Sequence, residues 1–221
     1  MRSATRITVA TFGVLAGLAG IEHGVGEILQ GSRSPNGIVI RSWPDAAAFR
    51  IVGGEPAMTI VPNLLVSGIL TILVSLIFLT WVTMFVQRAH GGVILILLSL
   101  VLLLVGGGFG PPLFGLILGL AATRIDAPFT WSRGHLPERA RRALSSMWPW
   151  TFAAGVLAWL CVLPGSILLS GARGVSSPER IMSVLIAAAF GLLLMAIVTS
   201  FAHDMQLQRG RWRAAAMSRR W

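Results

Sequence analysis

The 221-residue chain has no lysine, only eight acidic residues and a single cysteine. Without lysine, Schiff-base and other lysine-centred chemistry is excluded. A lone cysteine, Cys161, excludes an intramolecular disulfide. Charged residues amount to 12%, where a soluble domain carries roughly 25%. Apolar residues reach 55%, and the mean hydropathy is +0.78. These values put the chain in the membrane class and leave no room for a large soluble domain beside its spans. Nucleophile elbows, P-loops, dinucleotide fingerprints and zinc-protease motifs are also missing. No cofactor is indicated.

The formal net charge is +10, carried entirely by arginine. Most of these arginines flank apolar tracts, as the positive-inside rule expects, so nucleic acid is not the expected partner. Uncharged tracts predict an all-α, polytopic membrane helix bundle in one domain, residues 1–221, with about six membrane segments. The first runs from about Ile7 to Gln30. The second starts near Pro56, ends before Arg88 and is expected to kink at Pro62. The fifth lies between Arg142 and Arg173, and the sixth runs from Ile181 to Ala202. At the N-terminus two readings stand. Arg2 and Arg6 before the apolar run Ile7–Ile21, with Gly17 and Ala19 beyond, fit a cleaved signal peptide. An uncleaved first span, continuing through Glu22 to Glu27, is the expected reading.

Between His90 and Arg124 lie 33 residues without charge, broken in the middle by Gly106-Gly107-Gly108-Phe109-Gly110-Pro111-Pro112. A span needs about 20 residues, so this stretch is too long for one helix and short for two. Arginine-rich segments stand after it (Arg124 to Arg142) and at the C-terminus, and both belong in the cytoplasm. Chain parity then makes 91–123 a short broken hairpin, with arms at about Gly91–Val105 and Leu113–Thr123. Pro111 and Pro112 suit the first turn of the returning arm. The expected topology is a plasma (inner) membrane protein with both termini cytoplasmic. Loop 31–55 lies outside, and loop 124–147 and tail 203–221 lie inside. Within loop 31–55, the run Gly37–Ile40 suits a short strand or an apolar stub. Trp148 and Trp150 suit an aromatic belt.

The first span carries Gly13, Gly17, Gly20, Gly24 and Gly31 on one face, together with Glu27. Such faces permit close helix approach, to a neighbouring segment, a second copy or another membrane protein. His23 and Glu27 are helical neighbours, whereas Glu22 points to the opposite side. Ionisable residues at membrane depth tend to serve ions, protons or substrates; a helix cap and a structural hydrogen-bonded pair are the plainer readings. Glu55 is the one acid placed to join Glu22, His23 and Glu27 from elsewhere. A protein-only metal site is not expected, because one helix supplies too few ligands. Gly106, Gly107, Gly108, Gly110 and Pro111 form either a tight turn or a re-entrant tip whose freed backbone lines a cavity. His203 and Asp204 read as a solvated helix end. Arg209, Arg211, Arg213, Arg219 and Arg220 suit anionic lipid at the cytoplasmic face.

Three functions remain open. The first is movement of a small solute, proton or cation through the polar site. The second is membrane-embedded acid–base chemistry or lipid handling by the same cluster. The third is a non-catalytic role as an assembly partner.

Overall fold

The computed structural model describes residues 3–125, 137–171 and 176–218, with side chains described up to 208. It is 76% helical. Helix α1, Ala4–Leu29, is followed by β1, Val39–Arg41, a 3-10 turn, Ala47–Val52, and β2, Pro56–Met58. Helix α2, Leu64–Thr80, continues into a π turn, Trp81–Phe85. Then come α3, Gly91–Leu104; α4, Gly110–Ala122; α5, Glu138–Leu160; α6, Val162–Gly171; and α7, Pro178–Ser218. Helices α1, α2 with its π turn, and α7 are long and apolar enough to cross a membrane. The bent pair α5–α6 makes a fourth if it counts as one span, and α3 and α4 are shorter apolar helices.

Three boundaries differ from expectation. Residues 56–58 pair antiparallel with 39–41, Ile40 opposite Ala57, so α2 begins later, capped by Asn63 through a bond from the Val66 N–H. Pro62 therefore lies before the helix and kinks nothing. The fifth segment is bent by 41° between Leu160 and Val162. Pro164 follows there, and it has no N–H to give the Leu160 carbonyl. Trp150 faces outward, 78% exposed, but Trp148 turns in to stack near Phe152 and His203 and donates to Thr8 Oγ1 at 3.0 Å.

Glycine decides how the helices pair. Cβ atoms added along the α1 stripe would strike Val82 at Gly13, Leu79 at Gly17, Ser75 at Gly20 and the Gly68 backbone at Gly24. That stripe is thus filled by α2 and its π turn, antiparallel. In the hairpin, Gly115 abuts Ser99 and Phe78, and Gly119 abuts Gly92 and Ile96. Gly13, Gly17, Gly20 and Gly24 of α1 and Gly115 and Gly119 of α4 are thus packed inside the chain, while Gly31, beyond the end of α1, stands clear of it. The core joins Phe12, Phe78, Leu95, Phe114 and Leu118 to Leu193 and Ala196 of α7.

The hairpin predicted for 91–123 forms, with prolines in the first turn of α4. Its arms of 14 and 13 residues reach about 21 and 20 Å, against about 39 Å for the 26-residue α1. The rest of α1, toward its N-terminus, packs on α5 and α7. There Asp204 departs from expectation. Instead of ending a helix in solvent, it is 7% exposed and caps α1. Its carboxylate accepts from the Ala4 N–H at 2.7 Å, the Thr5 N–H at 3.0 Å and the Ser3 hydroxyl. An anion placed there meets the positive end of the α1 dipole.

Candidate functional site

The other end of α1 carries the acids that the sequence singled out, and the chain 31–63 folds over them. Gln30 ties the two together: its amide donates to the carbonyls of Gly26, Arg41 and Ser42 at 3.0–3.2 Å. Trp43 stacks on Phe49 with ring centroids 5.3 Å apart and lies over Gly26, which has no room for a Cβ. Ser42 and Trp43 donate their N–H groups to the carbonyls of Glu55 and Gly54. These bonds hold Glu55, in a left-handed conformation at φ 54°, above His23.

His23 is the hub. Its Nδ1 lies 3.0 Å from the Ala19 carbonyl, 3.1 Å from Glu22 Oε2 and 3.5 Å from Glu55 Oε2. All three neighbours are acceptors, so Nδ1 bears the proton. Nε2 faces the tip, where a Cβ on Gly108 would overlap it. His23 was expected to pair with Glu27, and it does not. Side chains on a helix lean toward its N-terminus, so the ring reaches back to Ala19 and leaves Glu27 behind. Glu22, expected on the opposite side, swings under the loop to meet His23.

Glu27 is wholly buried, and neither carboxylate oxygen has a hydrogen-bond partner. It fills the space in front of Gly106, whose φ is 114°. The Ser67 hydroxyl faces it but donates its proton to the Val105 carbonyl at 2.6 Å. Thr71 donates to the same carbonyl at 2.6 Å. The carbonyl freed by the break is thus satisfied by α2 hydroxyls. Thr59 and Ile60 pair with Val105 and Leu104 from the other side. Within the tip, Gly107 donates to Leu102 and Gly108 to Gly106, each at 2.8 Å. Gly110 and Pro111 open α4 and turn its first residues toward Trp159.

Of the nine buried polar atoms without a partner among the described residues, six belong here: Glu22 Oε1, both oxygens of Glu27, Ser42 Oγ, Trp43 Nε1 and Glu55 Oε2. Glu55, outside the helices, has its carboxyl pushed up to about 8, first by burial and then by Glu22, with His23 opposing. The structure also changes the outlook for metals. Ligand atoms of Glu22, His23 and Glu55 all lie within 4.8 Å of one another, because the loop supplies the ligand that α1 alone lacks. The hydroxyls of Ser67, Thr71 and Ser75 escaped sequence reasoning. Their four-residue spacing on α2 was the available signal, and all three are fully buried. Among the lipid-facing candidates, Arg209, Arg211 and Arg213 lie on α7 beyond the described side chains. Arg219 and Arg220 lie outside the described residues.

The fold and site define a mostly helical protein with membrane-length apolar helices and a polar cluster where a broken helical hairpin meets α1. The chain matches no known protein family, no curated protein and no solved structure.

Proposed function

We propose that this is a polytopic inner-membrane protein that takes up a proton or cation at the Glu22, His23, Glu55 and Glu27 cluster and passes it along α1. The loop 31–63 lies outside, and the arginine-rich segments lie inside against anionic lipid. One observation carries the reading: Glu27 is buried with no donor, against a backbone kept bare for it at Gly106. A buried, unpaired carboxylate costs several kcal/mol unless a proton or cation compensates it. A structural role would instead supply a partner, as Asp204 has. Purified protein in liposomes tests the reading. Glu27→Gln, which keeps shape and polarity but not charge, should abolish proton or cation flux without loss of folded protein. Unchanged flux would end the proposal. Glu22 and Glu55 are partly exposed, at 26% and 21% of the side chain. That opening also favours a second reading, acid–base chemistry on a substrate reaching the cluster from the loop side.

A further inference from the structure

Three carboxyl groups and one imidazole share the loop end of α1. Among the described residues, no arginine lies within ion-pair distance of Glu22, Glu27 or Glu55. The cluster is therefore short of positive charge. A proton can neutralise one oxygen, but the donor set offers more than a proton needs. Glu22 and Glu55 present two carboxylates, and His23 presents an imidazole nitrogen between them. This nitrogen–oxygen set suits zinc and its first-row neighbours. Bonds of about 2.0–2.1 Å in a tetrahedral site put ligand atoms about 3.4 Å apart. The nitrogen-to-oxygen separations here are 3.1 and 3.5 Å. Three protein ligands leave one position open, as in sites that exchange their bound partner.

Two observations beyond the cluster's composition favour a cation as its ligand. Buried oxygens on two prospective ligands, Glu22 Oε1 and Glu55 Oε2, have no hydrogen-bond donor. Glu27, entirely buried one turn further along α1, has none on either oxygen, and its side chain meets the same glycine tip on which His23 rests.

We propose that Glu22, His23 and Glu55 bind one divalent transition-metal ion of the zinc class, and that Glu27 is the next carboxylate to receive it. This rests on reading the cluster as a cation site and names the cation. Binding at Nδ1 moves that proton to Nε2, so the neutral ring itself releases none. Nε2–H then remains against Gly108, where the tip fixes the ring's orientation.

The test titrates Co2+ into the full chain, purified in detergent without a histidine tag, and reads the visible d–d absorption. We expect one equivalent with a low-coordinate spectrum that Zn2+ displaces. Zn2+ should also raise the melting temperature. Glu55→Gln should weaken binding at least about 100-fold, more than loss of an outer-shell partner, and remove the thermal shift. His90 and His203 stay in every variant and report background binding. Absence of a Co2+ spectrum, or equal spectra in wild type, Glu22→Gln and Glu55→Gln, overturns the metal assignment. Glu27-dependent proton flux would in that case still uphold the wider reading, and wild-type protein that binds Co2+ but shows no Glu27-dependent flux would overturn the wider reading alone.

Discussion

At one end of α1, Asp204 accepts hydrogen bonds from three donors. At the other end, Glu27 accepts from none. Both acids are buried, and both lie against backbone rather than against an arginine. Asp204 meets the N–H groups that open a helix, which want an anion. Glu27 meets glycines whose freed carbonyl is already served by Ser67 and Thr71. The first arrangement is complete in itself. The second leaves a buried carboxyl group without a donor, a cost that a proton or cation would offset.

The largest effect that could break this comparison belongs to Asp204. Asp204→Ala removes the α1 cap and strands buried donors, so stability should fall by about 2–4 kcal/mol. Thermal unfolding in detergent measures it, and an unchanged melting temperature would make Asp204 as idle structurally as Glu27. Next is Gly106→Ala, which puts a Cβ at a positive φ and onto Glu27. The expected loss is about 1–3 kcal/mol, and adding Glu27→Ala should recover the part due to collision. If the double variant recovers nothing, the two residues do not share the space. Glu27→Leu runs the other way. With no partner to lose, the protein should hold or gain about 1–3 kcal/mol, while any drop would reveal a hidden donor.

A smaller effect comes from pH. Glu55 has its folded value near 8, above the ordinary 4.5. Its contribution is therefore complete below about 4.5 and is lost as pH rises through 8. The melting temperature should fall from about pH 4.5 to about pH 8 and level off above, and Glu55→Gln should flatten that slope. A wild-type slope of opposite sign would place the proton elsewhere. The least perturbing test is topological. Contact between Ser3 and Asp204 puts the start of α1 and that part of α7 at one end. With Cys161 replaced, single cysteines at Ser34 and Ser218 should label from opposite sides of the membrane.

Much of the architecture was legible in the residues. The Gly106–Pro112 break announced a hairpin because it interrupts an uncharged tract that the arginine-rich segment after it requires to turn back. The α1 glycine stripe announced a close neighbour because a face without side chains must meet something. Glu22, His23, Glu27 and Glu55 were legible as a polar group because ionisable residues are rare in such a chain. Their pairing was not. Which way His23 turns depends on the Ala19 carbonyl one turn earlier and on the loop that carries Glu55, and helical spacing encodes only the first. Asp204 was misread for the same reason: its three donors lie about 200 residues earlier in the chain.

By itself the sequence determined the apolar helices of membrane-spanning length, the place of the break and the scarcity of charge, since these follow from local composition and periodicity. Tertiary structure alone decided which acids are paired and which are left waiting. Hydrogen bonding is short-ranged and directional, so a carboxylate's fate depends on the few atoms within about 3 Å, and folding brings those atoms from distant parts of the chain.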